Sequence, residues 1–569
     1  MSLIGALNLG QTALAANSAA LQVTGNNIAN AGNANYTREV ATETEATDQE
    51  LSPGVYVGTG VDLTGVQRQV NEALNGNLNN AISDNQAATV NQQWSGQIQS
   101  VFNALGSQNI DTDMGSFMTS WSTLANNPQD AAQRQVVIQA GQTVASDFNN
   151  LSTQIGTIQN NIGQQLNTVV GQANQLASQL AAVNTQIANS QGNGASAAPG
   201  GDNSLLDQRD SLVQQISQLV NAQAVDQGNG TVNLYVGSQP LVMAGSARGL
   251  NVVTQQINGE PVYQLQFAND NSVVNVTSGQ ISALIGSESQ ANTVSQQLDT
   301  LAANFISTVN DIHSSGQGTA GFTTVTGTNQ VLDPTAALNS TAAGLNFPPK
   351  NGSFVVSVTN TSTGLSSSTL VPVNLTGSSG DTTLNSLVAS LNAISGVQAT
   401  VSGGMLTISS TNPNQTISFS QDSSGTLAAL GINTFFQGST AQTMSVNSFL
   451  SSNPQFLAAA QNGSPDDNSN ALALAQANTA TSGGTGGQSF ETGYSSMING
   501  VATTASNANS TASSTEDIVN TLTAQQQAVS GVSIDEETIN LIKQQEAYAG
   551  AARIISTVDQ MMQTLLAIT

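Results

Sequence analysis

The sequence predicts a mainly α-helical protein with β insertions. Long helices reaching in from both termini form a bundle and coiled-coil stalk, and strand-rich outer domains are set upon it. Three observations predict this class. Apolar residues recur in alternating steps of four and three from Val144 to Ile187, the heptad signature of a long packed helix. The period changes to two in two separate interior stretches, as strands require. Proline is absent between Pro53 and Pro128, between Pro128 and Pro199, and after Pro465, so long helices are permitted there.

Composition narrows the function classes. The 569 residues leave room for several cores at roughly 150 residues per domain. Charged residues make up only 7%, against about 25% in an ordinary domain, so Asn, Gln, Ser and Thr must carry the surface. The balance of 34 acidic and 8 basic residues gives a net charge of -26. So few cations cannot neutralise a run of phosphates, which excludes nucleic acid as a partner. Attachment to an anionic membrane is disfavoured for the same reason. No run of about 20 apolar residues exists to span a bilayer, and the start lacks the basic region of a cleaved signal peptide. With no Cys, disulfides, thiolate catalysis and Cys-bound zinc are out. The single His cannot supply an HExxH site, which needs two.

Residues 1–66 are assigned to an N-terminal assembly helix and loop, with Leu7, Leu14, Leu21 and Ile28 spaced seven apart. Residues 67–229 are assigned to a long-helix bundle. Val90, Trp94, Ile98, Val101 and Leu105 mark one helix, and Met114, Phe117, Met118, Trp121 and Leu124 the next. The stripe from Val144 to Ile187 then predicts a rod on the order of 90 Å, in which Gly156, Gly163 and Gly171 permit local bends. A turn from Gln191 and a helix over Leu205–Val220 follow, folding back as a hairpin. Residues 230–280 form a small β region, where TVNLYV and VYQLQF alternate and Gly259 marks a hairpin. Residues 281–320 return to helix through Val294, Leu298, Leu301, Phe305, Val309 and Ile312.

Residues 321–437 form a strand-rich inserted domain. Its strands are SFVVSV, LVPVNL, VQATV, MLTISS and TISFS, with one helix at LNSLVASLNAI. Residues 438–518 hold return helices and loops, with helical pattern from Val446. Residues 519–569 form a C-terminal assembly helix. Leu541, Tyr548, Ile555 and Met562 sit seven apart there, and Val558 and Leu565 lie on the adjoining edge. Each terminal stripe is either docked on its own domain or presented to partner helices.

Those termini resemble a known family. GNNIANAGNANYTRE, Gly25 to Glu39, is similar to the N-terminal signature of flagellar rod, hook and hook-associated proteins. Its Asn26, Asn27, Asn30 and Tyr36 form the signature loop. Ser530 to Leu566 resembles the C-terminal signature of the hook-associated protein 1 family, and GTVNLYVGSQPLVMAG, QQLDTLAANFISTVNDIH and LGINTFFQGSTAQTMSVN resemble its interior. The family's loop carries Pro-Gly before the Tyr. Ala34 and Asn35 stand there instead, which leaves the turn type open.

The resemblance implies an axial structural protein joining hook to filament, outside the cell on the bacterial flagellum. It implies export through the flagellar type III channel without a cleaved signal. The implied partners are copies of itself, the hook protein, a second hook-associated junction protein and an export chaperone on the C-terminal segment. Terminal segments that fold on assembly are implied too. No cofactor, metal or catalytic residue is expected. The alternative readings are a surface-exposed binding module or adhesin carried by the insert, and another axial protein such as hook protein or flagellin.

The remaining candidate groups read as structural. Asp466, Asp467 and Asn468 lack the spacing of a Ca²⁺ loop and suit a helix-start cap. Asp535, Glu536 and Glu537 suit the first turn of a helix, Met561 and Met562 a helix seam, and His313 a helix C-terminus or the surface.

Overall fold

In a computed structural model the described residues are 3–103, 109–192, 203–257, 259–464, 466–477 and 489–568. Helix α1 (Leu3–Asn30) is followed by four short strands, β1 (Glu39–Glu45), β2 (Gln49–Ser52), β3 (Val55–Val57) and β4 (Val61–Arg68). Helices α2 (Glu72–Asn103), α3 (Ile110–Asn126), α4 (Ala131–Gly192) and α5 (Asn203–Leu219) come next. Then follow β5 (Ala222–Asp226), β6 (Val232–Val236), β7 (Gln239–Met243), β8 (Ser246–Ala247), β9 (Leu250–Ile257) and β10 (Glu260–Phe267). Helix α6 (Gly279–Ser314) leads to β11 (Thr324–Thr326), β12 (Gly352–Asn360), β13 (Ser366–Val373), α7 (Leu384–Asn392), β14 (Val397–Ser402), β15 (Met405–Ser410) and β16 (Gln415–Ser420). The chain closes with α8 (Thr426–Ala429), β17 (Phe436–Gln437), β18 (Ser445–Val446), α9 (Ser448–Ser452), α10 (Ser469–Gln476), α11 (Phe490–Ser530) and α12 (Ile534–Ile568).

The chain divides into two compact units. The first holds Met1–Trp94, Asn161–Ser289 and Ser506–Thr569. Leu166, Val169, Leu180 and Ile187 of α4 are buried in it, as are Leu212 and Ile216 of α5. Strands β5-β6-β7-β8 form one antiparallel sheet, and β9 and β10 a hairpin. Gly259 in that hairpin's turn has φ +85°, a conformation that glycine adopts freely. The sheet opens at Ala222, ahead of the expected Gly230. Asn184 of α4 explains how it is held, since its amide donates to Val232 O at 2.8 Å and accepts from Val232 N at 3.1 Å.

Strands β1 to β4 were not expected. Strand β1 pairs β4 with an irregularity between Thr42 and Glu43, and both pack on α1. Strand β4 alternates, with Asp62, Thr64 and Gln67 exposed, and β1 ends on the exposed Glu43, Thr44 and Glu45, which dilutes the apolar signal.

The second unit holds Ser95–Asn160 and Gln290–Ala505. The few aromatics gather here: Phe117, Trp121, Phe148, Phe305, Phe435, Phe436 and Phe490 pack with ring centroids 4.7 to 6.5 Å apart. Within the insert the sheet orders are β11-β15-β14 and β13-β12-β16. A separate apolar cluster runs from Phe322 to Ile432 and includes Phe354, Val356, Leu387, Ile408 and Phe419. Thr383 and Ser386 close a reciprocal cap on α7, which fixes where that helix starts.

Two expectations, for Val446 and His313, need correction. Val446 is in a strand, pairing with Phe436, and helix resumes only at Ser448. Helix α4 is continuous as expected, and Gly156, Gly163 and Gly171 all lie inside its 62 residues. At Gly163 the missing side chain receives the Tyr263 ring. His313 is neither a cap nor on the surface but fully buried. Its Nδ1 donates to Asn433 O at 2.8 Å and its Nε2 accepts from Ala458 N at 3.0 Å. A backbone N–H facing Nε2 requires the neutral ring, and burial pushes its pKa down to about 4. Leu105, most of the turn from Gln191 and the TSGGTGGQ stretch lie outside the described residues.

Candidate functional site

Helices α1 and α12 lie antiparallel, as three contacts show. Gly10 meets Ile555, Thr24 Oγ1 donates to Gln544 Oε1 at 2.9 Å, and Asn27 Nδ2 donates to Glu537 Oε2 at 3.1 Å. On α12 the residues turned inward follow steps of three and four, with one step of seven from Gln544 to Ala551: Glu537, Leu541, Gln544, Ala551, Ile555, Val558 and Met562. On α1 the buried residues are small or polar: Gly10, Ala16, Ala20, Thr24 and Asn27. A Cβ at Gly10 would stand 2.7 Å from Ile555 Cγ1, so glycine lets the helices approach closely.

The anticipated stripe residues sort differently. Val558 is buried, and Leu541, Ile555 and Met562 are half-buried. Tyr548 and Leu565 are 39% and 53% exposed, so the pair does not cover them. Leu7, Leu14, Leu21 and Ile28 are half-buried and flank the small-residue seam rather than forming its centre. Met561 points outward at 52% exposure, which corrects its expected place in the seam. A search for apolar periodicity passes over Gly10, Ala16, Ala20, Thr24 and Gln544. Their signal is small residues at helical spacing.

The open end of the pair is closed by a polar clasp from the signature loop. Asn27 is buried and uses its whole amide. It donates to Glu39 O at 2.9 Å and accepts from Glu39 N at 3.0 Å and the Tyr36 hydroxyl at 2.7 Å. Arg38 grips Glu537 through Nε at 2.9 Å and Nη2 at 2.8 Å, while its own N–H donates to Ser530 O at 2.9 Å. Asp535, Glu536 and Glu537 stand in the first turn of α12 as expected, and Glu537 is in addition buried, at 2% exposure. Asn26 donates to the Tyr36 hydroxyl at 3.2 Å. Asn30 donates to Asn26 O at 3.0 Å, holding the last helical turn.

The turn before Tyr36 is closed by Asn33, whose side chain accepts from Asn35 N at 3.1 Å and whose carbonyl accepts from Tyr36 N at 3.1 Å. An Asn side chain thus does the work expected of Pro-Gly.

Helix α5 extends the network. Asn203 donates to Glu39 Oε1 at 2.9 Å, and Arg68 pairs with Asp207 at 2.8 Å and Asp210 at 2.5 Å. Burial first, then the charges of Glu39 and Asp207, pushes the Tyr36 hydroxyl well above its usual range. Burial also raises Asp207 despite Thr37 and Arg68. An open polar groove of about 1040 Å³ runs beside the clasp, bordered by Tyr36, Arg68, Asp210 and Gln526.

The outward face of α12 is apolar and uncovered. Ile539, Ile542, Met561, Leu565 and Ile568 are each more than 50% exposed. Such a patch marks an interaction surface. Elsewhere, Asp467 accepts from Ser469 N at 3.0 Å and Gln461 N at 2.6 Å, a capping role at α10. Among the described residues no trio of His, Asp or Glu is arranged to hold a metal ion, and no helix is long and apolar enough to cross a membrane.

Comparison with known proteins places this geometry. The family described as flagellar hook-associated protein FlgK helical domain matches residues 95–329. The flagellar basal body rod FlgEFG protein C-terminal family matches residues 525–568. The flagellar hook-associated protein 1 of Escherichia coli is 25% identical, covering 98% of this chain and 99% of the relative. That of Salmonella typhimurium is 26% identical over the same shares. The solved flagellar hook junction protein FlgK of Burkholderia pseudomallei shares the fold, with a TM-score of 0.53 and 19% identity, across 80% of this chain and 100% of that one.

Proposed function

The chain belongs to the flagellar hook-associated protein 1 family, and we propose that its paired terminal helices are the surface through which it assembles. It is a structural axial subunit of the flagellum, joining hook to filament. The observation that carries the assembly reading is the pair itself. The α1 side of its inner seam is made of small or polar residues, and the other face of α12 carries exposed apolar residues. Packing against neighbouring subunits buries that stripe and offsets the entropy of ordering the ends.

The proposed neighbours are copies of this chain, the hook protein and a second hook-associated junction protein. Before assembly the same segment, with Leu541, Tyr548, Ile555, Met562 and Leu565, is proposed as the hold of an export chaperone. Export is proposed to run through the flagellar type III channel.

The test is a double substitution on the outward face, Ile539→Asp with Met561→Asp, in a strain lacking the chromosomal copy. Both positions are exposed, so the isolated protein keeps its melting temperature. Assembly fails because two unpaired charges would be buried in the subunit contact. Cells then carry hooks without filaments and release filament protein to the medium. Normal filaments on the doubly substituted protein would refute the assignment.

A further inference from the structure

The start of α11 meets α3 and α4 at a concentration of acid groups within the second unit. Asp111 and Asp113 come from the first turn of α3 and Glu491 from the first turn of α11. Tyr494 is 2% exposed and its hydroxyl has no hydrogen-bond partner. That hydroxyl lies within reach of the charges of Asp111 and Asp147, which with burial raise its pKa. Oδ2 of Asp147 on α4 is likewise buried without a partner, and Asp113 is its neighbour. Helix α6 packs here through Phe305, 5.2 Å from Phe490 and 6.5 Å from Phe148. The groups that perturb this cluster are all acidic; no cation is among them.

Two ionised carboxylates cannot bond to each other, because neither has a hydrogen to donate. With both charged, one buried oxygen stays unsatisfied and the like charges repel. One proton on Asp147 makes it a donor to Asp113 and removes one negative charge. No metal-holding trio occurs among the described residues, so a proton rather than a metal ion supplies the missing positive charge.

We propose that Asp113 and Asp147 form a proton-binding site that locks the start of α11 onto α3 and α4 while it holds one proton, and loosens it when the proton leaves. Burial first, then the hydrogen bond and charge of Asp113, pushes the Asp147 carboxyl up to about 7. The folded-state pKa is raised, so the stabilisation is present at low pH and is lost as pH rises through about 7. The single His is pushed down to about 4, and there is no Cys. Burial also raises Asp111 and Asp207, and Asp311 is a further raised carboxyl. It is pushed up to about 6 by burial and the charge of Asp422.

The test is hydrogen exchange of the full chain between about pH 5 and pH 8, read on peptides covering Phe490–Val501 and corrected for intrinsic rates. Opening rises with pH by up to about tenfold per unit and levels above about pH 7, as release of one proton requires. Asp147→Asn supplies a neutral donor at every pH, so this variant flattens the profile and protects the segment at pH about 8. Asp113→Asn gives the same outcome and serves if the first variant folds poorly. Asp311→Asn keeps the wild-type profile. An unflattened profile in both Asn variants, or restored protection at pH about 8 by millimolar Ca²⁺, would overturn the proposal.

Discussion

Replacing Glu537 with Ala removes the acceptor at the centre of the clasp. Its carboxylate takes two hydrogens from Arg38, at 2.9 and 2.8 Å, and one from Asn27 at 3.1 Å. Breaking a buried ion pair from one side costs about 3–5 kcal/mol, because the other charge is left uncompensated. The Arg38 side chain is 24% exposed, so water recovers part of that. The amide of Asn27 loses a bond worth about 1 kcal/mol. The net expectation is a loss of about 2–4 kcal/mol in docking α12 on α1. Glu537→Gln preserves the acceptor for Asn27 and costs about half as much. Arg38→Met with Glu537→Leu removes both charges and recovers most of the loss.

Hydrogen exchange on peptides from α1 and α12, alongside urea denaturation, measures these differences. If Glu537→Ala stays within about 0.5 kcal/mol of the parent, an exposed-pair value, the clasp does not hold the helices together and the reasoning fails.

Three further outcomes follow from specific contacts. Gly10→Val drives a side chain into Ile555 and destabilises the helix pair by about 1–3 kcal/mol, whereas Gly25→Ala, with nothing within 4 Å, stabilises α1 by about 0.5–1 kcal/mol; exchange protection of α1 separates the two. The depressed pKa of His313 means its stabilisation is present above about pH 6.5 and lost as pH falls towards about 4, amounting to about 3 kcal/mol. The difference in acid unfolding between the parent and His313→Gln, in which the acid-side slope of Asp147 cancels, measures it, and equal curves would contradict the buried neutral ring. Residues 321–432 expressed alone fold cooperatively, since they enclose their own apolar cluster and Asn433 Nδ2 reaches Gly316 O at 3.0 Å, which brings the two ends together; a non-cooperative circular dichroism melt would count against this.

Local pattern was legible in the sequence wherever one class of residue repeats at one period. The stripe from Val144 to Ile187 marks α4 because its buried face is large and apolar. SFVVSV, MLTISS and TISFS mark β12, β15 and β16 because alternation puts Val356, Ile408 and Phe419 in one core. The family signatures at both ends were legible for the same local reason: their residues stand contiguous in the chain. What the sequence did not disclose depends on partners hundreds of residues away. The α1 side of the helix pair is Gly10, Ala16 and Ala20, which contribute close approach rather than apolar area, so hydropathy is silent about them. Leu565 and Tyr548 fit the heptad yet face outward, because on a helix with two apolar faces periodicity does not say which one the partner takes. Glu537 reads only as a favourable first-turn charge until Arg38 and Asn27 are brought to it, and His313 as a helix-end cap or surface residue until Asn433 and Ala458 close over it. A buried polar group is stable only with its partners in place, and those partners are assembled by the tertiary fold alone.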